Sequence, residues 1–400
     1  MTNHLPLTGI RVLDFGHTVM GPTAGLILAD LGAEVIKIEP SPNGDPTRNL
    51  RGFGTGYFGF FNRNKRSIAI DLKTAEGYEI ASELVATADV LIENFAPGTM
   101  ARLKLDDATV KALNPRIIYA SLKGFLKGPY DHRLALDEVV QMMSGLAYMT
   151  GPTGRPLRAG SSVVDIAGGM FAVIGILAAL RDRERTGQGG LVESALFEAC
   201  VFLMGQHLCY SALTNRPVPP MPERVSAWAV YELFALADER QIFLGITTDA
   251  HWQRFCMAVG RPDLADDESL ATNNQRLEAR PRLIPIIQSI LCRKTIVEAI
   301  EVCERAVVPF APIARPEDLF TDPHLAATGG LLDSTLPDGT KMRLPRVPVK
   351  IAGADFPLRS NPPAIGQDTR SVLAELGYDT CRIEELTASG IVRADAAVAS

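Results

Sequence analysis

Residues 9–39 read GIRVLDFGHTVMGPTAGLILADLGAEVIKIE, and their reading decides the fold class. GIRVLDF has the apolar run of a strand, TAGLILADL that of a helix closed by Gly32, and EVIKIE is a second strand with apolar Val35, Ile36 and Ile38. A strand, a short helix and a second strand in about 30 residues predict a parallel βαβ unit. The alternation continues outward. After the loop PSPNGDPTRNLRGFGTG come the strand SIAIDL, the helix EGYEIASELVATA and the strand DVLIENF. The helix DDATVKAL, capped by Asp106 or Asp107, then leads through Asn114-Pro115 to the strand RIIYASL. Strands alternating with helices predict an α/β fold, a doubly wound, mostly parallel, Rossmann-like sheet.

From Leu136 the pattern turns helical, with LDEVVQMMSGLAYM, the stretch after Asp165, and SALFEACVFLMGQHLCYSAL. The Pro-rich TNRPVPPMPERVS reads as a linker. YELFALADERQIFLGI then reads as a β-hairpin, followed by the helices RLIPIIQSIL and TIVEAIEVCERA, which predicts a smaller α+β domain. A hairpin around Pro337-Asp338-Gly339 and the helix SVLAELG close the chain. The expected division is a large domain over 1–212, a linker over 213–225, a smaller domain over 226–328, and a return segment over 329–400 belonging to the large domain. Four hundred residues fit two domains better than one core.

Composition is that of a soluble globular protein, 46% hydrophobic and 22% charged. A net charge of −6 argues against a general nucleic-acid binder but leaves room for a local basic patch holding a phosphorylated small molecule. The longest apolar run, Ile166 to Leu180, falls short of the roughly 20 residues that span a bilayer and reads as a buried core helix. MTNHLPLTG has neither the basic start nor the apolar core of a signal peptide, so the cytoplasm is the expected compartment. Six cysteines lie at neither zinc nor disulfide-framework spacing, and no metal site is expected. GFGTGY at 52–57 does not complete a dinucleotide fingerprint between a strand and a helix, and P-loop, H-E-x-x-H and G-x-S-x-G motifs are absent.

The candidate chemistry sits on few residues. Asp165 precedes fifteen uncharged residues. It reads first as a helix N-cap, and also as an acid beside backbone donors able to hold an oxyanion, with Gly168 and Gly169 permitting close approach of a backbone or ligand. His17 follows the first strand, where open α/β sheets bind ligands. NRNKRS at 62–67 suits a phosphate or a solvated loop equally. ENFAPG at 93–98, with Arg102 beyond it, is a strand-end loop. Asp137 and Glu138 stand before an apolar helix, and capping accounts for one of them.

Six ordered segments, GIRVLDFGHTVMGP, LADLGAEVIKIEP with GDPTR, FNRNKRSIAIDLK, DVLIENFAPGTM, NPRIIYASLKGF and DIAGGMFAVIGILAALRDRERTGQG, resemble the class III CoA-transferases, a family that includes formyl-CoA transferase, carnitine CoA-transferase and α-methylacyl-CoA racemase. Weaker likeness runs through VVPFAPI, DPHL and IGQDT to the end of the chain. The resemblance implies that Asp165 is a nucleophile: a carboxylate attacks a thioester to give a mixed anhydride, and the CoA thiolate returns to give an aspartyl thioester. With an ordinary carboxyl pKa it is expected to be ionised at neutral pH. The resemblance further implies acyl-CoA and a free carboxylic acid as substrates, no permanently bound cofactor, and an interlocked homodimer with its site at the subunit boundary. CoA contacts are implied for Val19, Met20, Leu72, Lys73, Asn94, Phe95, Ala96, Arg102, Ala135, Leu136, Asp137 and Glu138, with Lys73 and Arg102 serving phosphates and Glu138 matching an acid that orients the nucleophile.

Departures from the family pattern narrow the reading. The racemase branch has a proton-moving His where this chain has Leu136, which argues against an acyl-CoA racemase. A non-catalytic acyl-CoA-binding protein is the other alternative, and the retained Asp165 argues against it. Val19 and Asp137 replace a Gln and a Tyr near the reacting acid of formyl-CoA transferase. RVSAWAVYE stands where that enzyme has a Gly-rich loop, so Ser226, Ala227 and Trp228 are expected on the acid-binding side. Formate and oxalate are thereby disfavoured. The expected reaction moves CoA, with succinyl-CoA the donor considered, to a larger, dicarboxylic acid.

Overall fold

A computed structural model describes residues 5–224 and 226–394 and divides into two compact units, Met1–Pro222 with Ala326–Ser400, and Glu223–Leu325. In the first unit the opening stretch folds as β1 (Arg11–Asp14), α1 (Met20–Asp30) and β2 (Glu34–Pro40). β1 and β2 pair in parallel with Arg11 opposite Glu34. The turn between α1 and β2 requires glycine: Gly32 has φ +110°, and a Cβ there would lie 2.3 Å from that of Leu5.

The sheet is completed by β3 (Lys65–Ile70), β4 (Val90–Glu93), β5 (Ile118–Lys123) and β6 (Gly190–Ala195). Across it the order is a C-terminal strand, β3, β2, β1, β4, β5 and β6. All neighbours are parallel except the C-terminal strand Val392–Arg393, which runs antiparallel to β3. The doubly wound, mostly parallel sheet expected from the sequence is therefore present. Successive strand residues feed opposite faces. Val12, Val35 and Ile118 join one core layer, and Leu13, Ile36 and Ile68 join the other with Leu84 of the helix α2 (Ala75–Thr87).

β6 is a correction: Ser194 and Ala195, read as the start of a helix, pair with Leu122 and Lys123 of β5. Its leading glycine dilutes the strand pattern. The helical segments also break where one helix was read in each. LDEVVQMMSGLAYM forms α3 (Asp137–Met143) and a short helix Leu146–Thr150, separated at Gly145 with φ +90°. Leu196–Leu203 and Gly205–Thr214 are two helices bent by 56°.

The long helix α4 (Val163–Thr186), read as a buried core helix, is buried on one side only. It packs on α1, β5 and β6 and buries Val164, Gly168, Ala172 and Ile176, while Met170, Ile174 and Leu177 are exposed. By length and composition alone it is also long and apolar enough to cross a membrane.

The second unit contains the expected hairpin, Val230–Ala235 antiparallel to Gln241–Ile246, joined by Phe310–Pro312. Its core gathers Trp252, Phe255, Leu283, Ile287 and Ala299 from helices beside this sheet, an α+β arrangement. Back in the first unit, the hairpin around Pro337-Asp338-Gly339 pairs Leu331–Thr335 with Lys341–Pro345.

Candidate active site

From β1 the chain moves outward to β2 and β3, then crosses back to lay β4 on the other side of β1. The carboxyl ends of β1 and β4 therefore frame the switch-point crevice in which open sheets bind ligands. Side chains stitch this crevice together. His17 N–H donates to Asn94 Oδ1 at 2.8 Å and Asn94 Nδ2 donates to the His17 carbonyl at 3.0 Å, while the His17 and Phe95 rings lie 5.3 Å apart. Burial lowers the His17 pKa, so its imidazole is neutral at pH 7.

Two cavities meet at these rings. One, of about 360 Å³, is lined by Val19, Met20, Asn94, Phe95, Ala96, Ala135, Leu136 and Asp165, with His17 and Thr99. The other, of about 500 Å³, is lined by Leu72, Lys73, Lys37 and Asp45, and shares His17, Phe95 and Thr99. Arg102 lines neither, but its guanidinium donates to the hydroxyl of the shared Thr99 at 2.8 Å. Asp137 and Glu138 also lie outside both linings.

Asp165 is not the cap of its helix. The N-cap position is Ser162, which makes no side-chain cap bond, and Asp165 sits in the first turn with a carboxylate that accepts no hydrogen bond among the described residues. The cap comes from another helix. Asp137 Oδ2 accepts the amides of Val164 at 2.8 Å and Asp165 at 3.0 Å. Its other oxygen accepts from Gln141 Nε2, and Gln141 Oε1 accepts the Ala159 amide at 2.8 Å. Asp137, the first residue of α3, therefore satisfies the orphan donors of α4 rather than those of its own helix. Glu138 does not touch Asp165. It pairs with Arg158 at 3.1 Å, both side chains 47% exposed.

Burial, then the charges of Asp137 and Glu138, raise the Asp165 pKa to about 7. The full ionisation expected at neutral pH is thus replaced by an equilibrium between acid and carboxylate.

Two further readings are resolved. Of the backbone or ligand that Gly168 and Gly169 are read to admit, it is α1 that approaches: a Cβ would lie 2.5 Å from Met20 Cε at Gly168 and 2.8 Å from the Met20 carbonyl at Gly169. The basic cluster at 62–67 is not a phosphate cradle. Arg63 pairs with Asp30 at 2.6 Å and Lys65 with Asp14 at 2.7 Å, all buried, and Arg66 pairs with Glu34 and Glu375. These residues lead into and lie on β3, an internal strand, where a charge needs a partner. Sequence reading also missed Lys37, which the apolar frame of EVIKIE hides; it is buried against Asp45 at 2.8 Å and the Gly16 carbonyl at 2.8 Å. GFGTG at 52–56 forms an exposed helical turn, apart from the switch point. Among the described residues no group of three or more His, Cys, Asp or Glu is placed to hold a metal ion.

The sequence model of CoA-transferase family III matches residues 7–369. The chain belongs to CoA-transferase family III. Among family members, a succinate–glutarate CoA-transferase of Agrobacterium fabrum is 36% identical over 93% of this chain and 96% of its own length. An acetyl-CoA:oxalate CoA-transferase of Acetobacter aceti is 36% identical over 88% and 90%. A CaiB/BaiF family protein from Brucella suis superposes with TM-score 0.82 at 33% identity, over 93% of this chain and 99% of that one. The family resemblance read from the six segments is thereby established, and this family III protein is a CoA-transferase acting between acyl-CoA and carboxylic acids.

Proposed function

We propose that this enzyme carries CoA from an acyl-CoA, with succinyl-CoA the favoured donor, to a dicarboxylic acid through covalent Asp165. The observation that carries the reading is an unpartnered carboxyl group lining the cleft at the switch point. The similarity to a succinate–glutarate enzyme over nearly full length supports the substrate class.

The steps follow from the chemistry of a carboxylate and a thioester. An Asp165 oxygen bonds to the acyl carbon and the carbon–sulfur bond breaks, giving a mixed anhydride and CoA thiolate. The thiolate then bonds to the aspartyl carbonyl carbon, the bond to the donor acyl oxygen breaks, and the donor acid leaves. The acceptor acid reverses both steps, and CoA departs on it. The acyl bond stays activated throughout. The Asn94–Ala96 loop, with Val19, Met20, Ala135 and Leu136, encloses the thioester arm, and Lys73 and Arg102 meet phosphates. Since the carboxylate is the nucleophile, the rate of adduct formation should rise with pH through about 7.

The proposal includes a homodimer, interlocked as the resemblance implies. Exposed Phe202, Leu208 and Leu213 give the isolated chain an apolar surface that a second copy would cover. Light scattering showing a lone 43.2 kDa species at working concentration would overturn that part. Chemistry is tested with a panel of acyl-CoA esters and free acids, mass measurement of products, and hydroxylamine trapping. A trapped adduct at Asp165, lost with turnover in Asp165→Asn and Asp165→Ala, is expected. Either variant, folded and still binding CoA, exchanging acids at the native rate would refute the mechanism.

A further inference from the structure

One buried carboxylate ties the starts of two helices together, and it sits beside another carboxylate. Asp137 is 3% exposed, and its partners are the amides of Val164 and Asp165 and the side-chain amide of Gln141. None of them is a cation. A helix start accepts an uncharged Ser or Asn about as readily as Asp, so capping alone does not ask for a second negative charge at this place.

The charged groups around Asp165 do not compensate for it. His17, from the loop after β1, is held neutral by burial. Lys123, at the end of β5, is paired with Glu93 at 2.6 Å. Asp131 and Arg133 come from the loop before α3, where the Arg133 guanidinium stacks over Tyr130 at 4.3 Å. Glu138 adds a further negative charge and keeps Arg158 for itself.

We infer that Asp137 is a positioning residue for the transfer reaction: it fixes the backbone of Asp165 and, as a second carboxylate beside it, favours the forms of Asp165 that carry no charge. This rests on the covalent mechanism proposed above. When an Asp165 oxygen bonds to the acyl carbon and the carbon–sulfur bond breaks, the negative charge leaves position 165 with the sulfur. When sulfur bonds to the aspartyl carbon, the donor acid carries the charge away. Both covalent forms are uncharged at position 165, so repulsion from Asp137 is relieved in each and restored only in the free carboxylate. A cation in the place of Asp137 would act in the opposite direction, stabilising the resting carboxylate and thinning out the intermediates.

Asp137→Asn removes the charge while the Asn carbonyl oxygen still accepts the Val164 and Asp165 amides. In that variant the pH midpoint for adduct formation should fall by about one unit, and the hydroxylamine-trapped fraction at steady state by roughly tenfold, with kcat reduced and KM for acyl-CoA little changed. Asp137→Asn also loses the bond from Gln141 Nε2, so Gln141→Leu, which loses that bond and keeps the charge, is read beside it and should leave the midpoint unchanged. A folded Asp137→Asn enzyme with the native midpoint and trapped fraction overturns the inference. Should that variant fail to fold, Asp165→Asn in the otherwise native chain gives a second reading. It should unfold at a higher temperature than the native enzyme, the gap opening as pH rises from about 4 to about 7, and absence of a gap also overturns the inference. If the native enzyme gives no adduct at Asp165, the covalent mechanism itself fails, while the Asp165→Asn melting comparison still reports whether burial and the neighbouring acids disfavour the Asp165 charge.

Discussion

Asp14 and Asp165 belong to the same unit, yet their surroundings are opposite. Asp14, ending β1, meets the Lys65 ammonium at 2.7 Å with both side chains wholly buried. Around it Asp45 meets Lys37, Glu39 meets Arg48, and Asp30 meets Arg63. Asp165, starting α4, meets no cation, and its nearest charged neighbours are acids. This chain therefore has the means to pair its buried carboxylates, yet supplies no cation to Asp165 or to Asp137 beside it among the described residues. Pairing makes an acid inert and part of the scaffold, whereas leaving it unpaired near neutral pKa keeps it reactive at a cost in stability.

The sharpest way to break that contrast is to remove a cation from the scaffold side. Lys65→Met leaves Asp14 buried and unpaired, and also strands the Pro22 carbonyl and the Asn62 side chain that accept from the same ammonium. A loss of about 3–5 kcal/mol is expected, read from the denaturant midpoint. A loss below about 1 kcal/mol would mean that the pair is worth no more than a surface one.

Asp45 gives the next largest effect and the opposite pH signature to Asp165. Burial disfavours its charge, but Lys37 and the Thr47 donors outweigh burial and hold its pKa at about 2. Its folded pKa lies below the ordinary value, so its contribution is present above about pH 4 and lost as pH falls toward 2. Asp45→Asn should cost about 2 kcal/mol at pH 7 and progressively less as the acid limb is approached. Asp165, with its folded pKa raised, removes stability as pH climbs from about 4 to about 7. Melting temperatures across pH 2–8 for the two Asn variants should diverge from the native curve in opposite senses. Parallel curves would erase the distinction.

Which parts of this were legible in the sequence follows from the range of the interactions. GIRVLDF, EVIKIE and DVLIENF declare themselves because a buried parallel strand is a local apolar run, and His17 and the loop at 93–98 follow because ligands meet such a sheet at its strand ends; Val19, Met20, Leu72 and Lys73 are reached only through the family resemblance. Lys37 is hidden by the same run that reveals its strand, its partner Asp45 lying in a loop that carries no periodicity. The role of Asp137 was out of reach for a different reason. It caps a helix that begins 26 residues further on, and capping patterns are read within a few residues of the helix they serve. Gly168 and Gly169 read as room for either a backbone or a ligand because sequence shows a missing side chain without showing what fills the space.

Those two glycines sharpen the comparison by asking how finely the reactive side is built. At Gly169 an added Cβ meets the Met20 carbonyl and Thr23 Cβ, both at 2.8 Å, so Gly169→Ala must push α4 away from α1. A cost of about 1–3 kcal/mol is expected, with kcat falling because Asp165 rides on the displaced turn. At Gly168 the obstacle is the Met20 Cε at 2.5 Å, the mobile end of a side chain. Gly168→Ala should melt near the native temperature and raise KM for acyl-CoA, since Met20 lines the cleft. Equal losses of stability in the two variants would show that the helix contact is softer than its spacing indicates.

The smallest effect is expected at Arg158, and its smallness is informative. Arg158 is the cation that pairs with Glu138, one of the two acids whose charge reaches Asp165. Both side chains are half exposed, so the pair is screened by water and salt, and Arg158→Gln should change stability by about 0.5 kcal/mol or less. The effect on chemistry has a definite sign. Freeing the Glu138 charge raises the energy of the Asp165 carboxylate, so the pH midpoint for adduct formation should move upward, by less than the downward move in Asp137→Asn because the site is solvated and the charge is not in contact. Rates measured at low and at moderate salt distinguish the two acids further: the Arg158→Gln shift should fade as the ionic strength approaches about 0.15 M, where the screening length is near 8 Å, and the buried Asp137 shift should persist. Should the exposed pair move the midpoint as far as the buried acid does, the ordering of the two acids by burial would be wrong, and the reactive carboxyl would be tuned from the surface.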